Sequence, residues 1–341
     1  MTHLIIGVTG QDGSLLAEKL IGEGEKVIGT FRRGGDYGNN DKAWRLDELK
    51  IKNLISLEPL DINDIFHFQK LMIKHNPDII YQLAGNSFVG DSFEAPQSTL
   101  ATNINSTINI LETIRSLNMN TKVFFASSSE IFDSSTFEVK NETSKMEPLN
   151  PYGISKLTVY HLVKMYREAF GLEVSTGIFF NHESPFRARN FVCRKISHNI
   201  ARLKVSGGPS FSLGNIDMKR DWSSAEDFVD GICLIVKKPG DYVLSSGNLT
   251  SVRSLLIEAA RHAGFEPKFK GEGLKEVCYD AITGKVLMTI SEKYYRKIDT
   301  PGLMGDSEKL EKSTGWKKTK GINQVICQMV EKDINRIKNK I

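Results

Sequence analysis

The chain has 341 residues, 40% hydrophobic and 25% charged, a composition that buries an ordinary core and excludes disordered or fibrous classes. Its 45 lysines and arginines against 41 aspartates and glutamates leave a net charge of +4, and basic residues are dispersed except after Lys332, which argues against a nucleic-acid partner. No apolar segment approaches a membrane span, no signal peptide precedes the first strand, and Cys193, Cys233, Cys278 and Cys327 form no CxxC or Cys/His cluster. A cytoplasmic protein is expected, with no membrane partner, reduced thiols and no metal site.

His3 to Val8 reads as an apolar strand and Ser14 to Ile21 as an amphipathic helix, which places Gly7, Gly10 and Gly13 in the turn between them. Such a turn brings backbone N–H groups and a helix N-terminus onto a pyrophosphate; the alternative is a tight turn without a ligand. Lys26 to Phe31 is the second strand, and it ends in Arg32-Arg33 where an NAD enzyme places an acidic residue for the ribose 2′-hydroxyl. Two arginines there favour a 2′-phosphate, hence NADP over NAD, with a solvated basic turn as the alternative. Asn53 to Leu57, Asp78 to Leu83, Lys122 to Ala126 and Glu173 to Phe180 follow as strands, with helices near Ile65 to His75, Gln97 to Leu117 and Tyr152 to Phe170. That alternation predicts an α/β fold: a Rossmann-type doubly wound parallel sheet over residues 1–180, mainly a cofactor-binding domain.

Beyond Asn181 the pattern is irregular, with helices around Phe191 to Val205, Ala225 to Lys237 and Ser251 to Ala263 and a short strand at Ser210 to Leu213. A smaller C-terminal α/β substrate lobe is expected over 181–341, with strands and helices exchanged between the lobes. The last helix, from Gly321, sets Ile322, Val325, Ile326, Met329, Val330 and Ile334 on one stripe, a core-packing pattern.

The chemistry concentrates around Tyr152-Gly153-Ile154-Ser155-Lys156. A Tyr and a Lys four residues apart share a helix face, so the ammonium can stabilise the phenolate and make Tyr152 an acid/base near neutral pH. In a parallel sheet ligands sit beyond the carboxyl ends of the strands, where Ser127-Ser128-Ser129-Glu130 and, after the preceding strand, Asn86 and Ser87 fall. A hydroxyl, a carboxylate, a phenol and a lysine converging there suit hydride removal from a sugar carbinol with proton transfer nearby. Three consecutive serines leave the choice among them open, and by position alone Glu130 is equally a capping or solvated carboxylate.

These residues carry a resemblance. The chain resembles the extended short-chain dehydrogenase/reductases and, within them, the GDP-mannose 4,6-dehydratase family over almost its whole length. The matching segments include Gly7-Val-Thr-Gly10-Gln-Asp-Gly13, Arg32-Arg33, Asp61-Ile62, Ser127-Ser-Ser-Glu130, Pro151-Tyr-Gly-Ile-Ser-Lys156, Phe180-Asn-His-Glu-Ser-Pro185, Asn190-Phe-Val192, Arg220-Asp-Trp222 and Leu303-Met-Gly-Asp306. Phe180-Asn-His-Glu-Ser-Pro185 followed by Asn190-Phe191-Val192 is the most specific, separating this family from epimerases and dTDP-sugar dehydratases.

The resemblance implies a lyase with bound NADP that carries out three steps at one site. Hydride leaves sugar C4 while Tyr152 takes the hydroxyl proton; Glu130 then removes the C5 proton and water leaves from C6; the same hydride returns to C6. Ser128 stands where the family has Thr and would hydrogen-bond the C4 oxygen, while Lys156 would hold the nicotinamide ribose. Gln11, Asp12, Asp61, Ile62 and Leu83 join the glycines, the arginine pair, Tyr152 and Lys156 as implied cofactor contacts. For a GDP-linked sugar, Asn181, Arg220 and Arg296 are implied at the diphosphate, Val192 and Lys195 beside the guanosine, and Ser87 and Asp299 as further contacts. The family also implies homodimers or homotetramers. Phe186-Arg-Ala-Arg189 replaces Arg-Arg-Gly-Glu, Gly85-Asn-Ser-Phe88 replaces Ala-Gln-Ser-His, Lys297-Ile-Asp299 replaces Pro-x-Glu, and Asp133 replaces a glycine. The changes near Asn86, Phe88 and Asp133 open a GDP-heptose or GDP-linked amino sugar as alternative substrates. A C4 oxidoreductase or epimerase of the same fold is a second alternative, and a non-catalytic nucleotide-sugar-binding regulator a third.

Overall fold

The computed structural model describes residues 1–32, 43–135, 137–295 and 302–339. Its first half runs β1 (Thr2–Ile6), α1 (Gln11–Gly22), β2 (Lys26–Phe31), α2 (Trp44–Glu48), β3 (Ser56–Pro59), α3 (Ile65–His75), β4 (Ile79–Gln82), α4 (Val89–Glu94), α5 (Pro96–Ser116), β5 (Lys122–Ser128), β6 (Val139–Lys140), α6 (Pro151–Phe170) and β7 (Val174–Phe179). The second half opens with β8 (Asn181–Glu183), α7 (Val192–Val205), β9 (Phe211–Leu213), β10 (Lys219–Ser224), α8 (Ala225–Ile235), β11 (Asp241–Leu244), β12 (Leu249–Ser251) and α9 (Val252–His262). It closes with β13 (Pro267–Lys270), β14 (Val277–Asp280), β15 (Val286–Ile290), β16 (Met304–Gly305), α10 (Glu308–Thr314) and α11 (Ile322–Lys338).

Seven strands pair in the order β11-β7-β5-β4-β1-β2-β3, every neighbour parallel. Both faces are buried, so the strands read as apolar runs. Side-chain alternation divides them: Ile5, Tyr81, Phe124 and Phe179 meet Leu16 of α1 and Phe228 of α8 on one face. Leu4, Ile6, Val123 and Phe125 meet Phe68, Ile110 and Val159 of α3, α5 and α6 on the other. The strand order reverses between β1 and β4, and the crevice at such a switch point is where ligands bind. A separate apolar cluster joins α7, α9 and α11 to β9, β14 and β15.

Two expectations need correction. The strand read at Asn53 to Leu57 is β3 at Ser56–Pro59, because Lys52–Leu54 forms one tight turn that leaves Leu54 61% exposed. The edge strand β11 escaped notice: four residues are too few for an alternating pattern, yet Asp241 to Leu244 pair with β7 and are buried. No helix among the described residues is long and apolar enough to cross a membrane.

α11 buries its predicted apolar stripe and, beyond it, two ionic residues. Asp333 pairs with Arg194 and Ser197 of α7 and with Arg336, which continues to Glu48 of α2 at 2.9 Å and the Pro185 carbonyl at 2.7 Å. Replacing Asp333 with Ala leaves Arg194, 2% exposed, without its carboxylate. The expected loss of stability is about 3–5 kcal/mol, read from the urea midpoint.

Candidate active site

The glycine turn has a shape only glycine permits at two positions. Gly7 has φ +93°, and a Cβ on Gly13 would lie 2.3 Å from the Gly7 carbonyl oxygen. The turn closes with the Gly10 N–H donating to that oxygen at 3.0 Å, and no side chain caps the start of α1. A close-approach cradle followed by uncapped helix N–H groups fits the pyrophosphate of a dinucleotide. Gln11 and Asp12 line the same cleft and also tie the turn to β8. Gln11 donates to the His182 carbonyl at 3.2 Å and accepts from Ser184 at 2.9 Å, while Asp12 Oδ2 sits 3.0 Å from His182 Nε2. Burial works to raise the Asp12 carboxyl, but His182, Gln11 and Arg187 outweigh it and hold the group at about 2.

The four predicted catalytic residues come together. Ser128 ends β5, Glu130 lies in the single turn Ser129–Ile131 that follows, and Tyr152 and Lys156 occupy the first turns of α6. Ser128 Oγ accepts from the Glu130 N–H at 3.3 Å and lies beside the Tyr152 phenol. The expected phenolate stabilisation by Lys156 is not what the structure shows. Burial pushes Tyr152 up to about 12, with the Glu130 charge adding to the rise and Ser128 and Arg187 opposing it. Lys156 turns toward the sheet, donating to the Ala126 carbonyl at 2.7 Å with its Nζ 5.8 Å from the Tyr152 ring centre, and burial lowers it to about 8. Spacing put both residues on one face; the open carbonyl at the end of β5 then took the ammonium.

Asn150 was not anticipated. It caps α6, its Oδ1 accepting from the Gly153 N–H at 2.8 Å while its Nδ2 donates to Glu130 Oε2 at 2.8 Å. The readable signal was Asn150-Pro151, an N-cap residue followed by proline at the first helical position. Gly153 lets α6 pack against the turn: a Cβ there would fall 2.3 Å from the Glu130 carbonyl oxygen.

A cleft of about 2200 Å³ runs from the glycine turn past these residues to α7, with Leu83, Ser87, Asn181, Val192, Lys195 and Arg220 in its walls. Lys195 Nζ lies 3.2 Å from the Tyr294 ring centre, and Arg220 donates to the Lys219 carbonyl at 2.8 Å. Arg187, also unanticipated, stacks on Phe191 at 3.6 Å, and Phe191 meets Phe88 edge to face at 5.5 Å. Arg45 links the glycine turn to the Phe186 loop, donating to the Thr9 carbonyl at 2.9 Å and the Phe186 carbonyl at 2.6 Å. Asp61 and Ile62 are not in the cleft wall: Asp61 accepts from the Asn63 N–H at 3.0 Å and the Ile62 carbonyl from Asn109 at 3.1 Å. Asp133 likewise turns to the Ser135 N–H and Lys145, leaving Ser134 to line the cleft. Arg32 follows β2 and is exposed, while Arg33, Arg296 and Asp299 lie outside the described residues. Among the described residues no group of three His, Cys, Asp or Glu side chains is placed to hold a metal.

The sheet order and the cleft at its switch point define a Rossmann-type nucleotide-binding fold. A family profile described as GDP-mannose 4,6 dehydratase matches residues 4–329. The GDP-mannose 4,6-dehydratase of Sinorhizobium fredii is 35% identical over 98% of this chain and 97% of its own. That of Dictyostelium discoideum is 36% identical over 98% and 96%. The chain therefore belongs to the GDP-mannose 4,6-dehydratase family. A solved dTDP-glucose 4,6-dehydratase from Bacillus anthracis in complex with NAD shares the fold, with a TM-score of 0.78 at 15% identity, covering 100% of this chain and 97% of that one.

Proposed function

We propose that this protein is a GDP-sugar 4,6-dehydratase that converts GDP-mannose to GDP-4-keto-6-deoxymannose with NADP retained at the site. The observation that supports it best is the convergence of Ser128, Glu130, Tyr152 and Lys156 at the wall of one cleft, where the Glu130 charge acts on the Tyr152 phenol. A bound nicotinamide supplies the acceptor for hydride from C4 and its donor to C6. Tyr152 takes the C4 hydroxyl proton, with Ser128 on the same oxygen. Once C4 is a ketone, the C5 proton is acidified; Glu130 takes it and passes it to the C6 hydroxyl, which leaves as water, and Tyr152 returns its proton to C5 as hydride adds to C6. Lys156, anchored on the Ala126 carbonyl, holds the cofactor ribose. Asn181, Arg220 and Arg296 bind the diphosphate, Arg guanidinium groups matching its oxygens as a planar array of donors. Val192 and Lys195 flank the guanosine, and the protein works in the cytoplasm as a homodimer or homotetramer.

The discriminating experiment is incubation with a panel of GDP-sugars without added reductant. Loss of one water supports the reading; net NADPH formation or binding without turnover overturns it. Phe88, set against Phe191 where the family carries His, favours a second reading in which the sugar is a GDP-heptose or a GDP-linked amino sugar.

The cofactor choice is tested separately. Binding of NADP(H) over NAD(H) is expected, and changing Arg32 and Arg33 together to Ala should remove most of that preference while leaving NAD affinity nearly unchanged. Titration showing equal or tighter NAD binding by the unmodified protein would reverse the assignment.

A further inference from the structure

The proposed base and the proposed acid sit on different elements, and one side chain anchors both. Asn150 is 8% exposed, and its amide is used at both ends. The Gly153 N–H can only donate and an ionised Glu130 only accept, so a single amide orientation satisfies the two 2.8 Å contacts. A cap alone asks for less, since Ser, Thr or Asp serves an α-helix N-terminus as well. What asparagine adds is a neutral donor that holds one carboxylate oxygen in place. The geometry around it is rigid. The Ser128 hydroxyl accepts from the Glu130 N–H, and Gly153 packs its backbone on the Glu130 carbonyl. Tyr152 is two residues into the helix that Asn150 caps.

We propose that Asn150 is the positioning residue of the C5 base: it fixes the setting of the Glu130 carboxylate relative to the Tyr152 phenol. The proposal rests on the dehydratase reading above. Tyr152 faces Glu130 from α6 and is itself acted on by Arg187 and Asp12, while Asp133 is engaged by the Ser135 N–H and Lys145.

Two variants retain a capping oxygen and remove the donor. In Asn150→Asp a second carboxylate faces Glu130 where the amide donated, and the dehydration rate at the optimum falls about tenfold or more with reduced cofactor accumulating. In Asn150→Ser the shorter side chain still caps but no longer reaches Glu130, and the rate at the optimum falls about tenfold with reduced cofactor accumulating. Both variants are expected to bind NADP and to melt within a few degrees of the unmodified protein. If both do so and keep the unmodified rate, Asn150 is a helix cap and nothing more. A second readout does not depend on turnover. The Glu130 carboxylate stretching band is isolated in infrared difference spectra against Glu130→Gln, and its frequency shifts in Asn150→Ser, where the amide hydrogen bond is lost. An unshifted band overturns the proposal even if the protein dehydrates GDP-sugars, and a shifted one supports it even if the true substrate differs.

Discussion

Glu130→Gln is expected to keep oxidising C4 while water loss slows by roughly a hundredfold to ten-thousandfold, the usual cost of removing a general base. Gln nearly preserves the shape of the side chain, so the contact with Asn150 can persist while the ability to accept a proton is gone. Reduced cofactor should therefore accumulate together with a 4-keto sugar that retains its C6 oxygen, seen as absorbance at the nicotinamide band and by mass spectrometry. Tyr152→Phe is the contrast, because it should stop both oxidation and elimination. In deuterated water the unmodified enzyme should place one deuterium at C5 and none at C6. Normal dehydration by Glu130→Gln would show that Glu130 only builds the wall of the cleft.

Gly153→Ala is expected to be nearly as damaging although it removes no functional group. The added methyl would lie 2.3 Å from the Glu130 carbonyl oxygen and 2.9 Å from Pro148 Cβ. The first contact is backbone against backbone, so α6 or the turn after β5 has to move. Overpacking of this kind costs about 1–3 kcal/mol, and the shift separates the residues that act together, so a loss of about a hundredfold in kcat is expected. The glycine turn lies on another element, and NADP affinity should fall far less than kcat. Calorimetry and steady-state rates check the two parts, and an Ala variant with unmodified stability and rate would mean that the packing is looser than described.

Much of this was legible in the sequence where a local pattern carried it. Gly7, Gly10 and Gly13 sit between an apolar run and an amphipathic helix, and the turn they form was readable from that order. α3 spans Ile65 to His75 as its periodicity predicts. The four residues at the end of β5 and the start of α6 converge because strand ends and helix starts meet at the carboxyl edge of a parallel sheet. Partners far apart in the chain were not legible. Nothing local says that Lys156 turns to the Ala126 carbonyl, that Asp12 meets His182, or that Arg187 reaches the phenol. Burial was equally hidden: the i,i+4 spacing predicts a lowered Tyr152, whereas enclosure of the ring drives it up. Asn150 was visible as a cap, but its second hydrogen bond depends on where β5 ends.

The edge strand β11 has a consequence for how the chain is made. β7 has β5 on one side, and the partner for its other side, Asp241 to Leu244, lies in the second half. During synthesis, then, the sheet has an open flank after β7 has left the ribosome, and it stays open until Leu244 follows. The helix that covers that region, α8, arrives in the same interval, bringing Phe228 and Ile232 onto Phe124 and Phe179. An unpaired hydrophobic edge is a template for association with another chain. A nascent or truncated chain ending near residue 180 thus emerges with an adhesive flank, and completing the sheet waits on the second half of the chain.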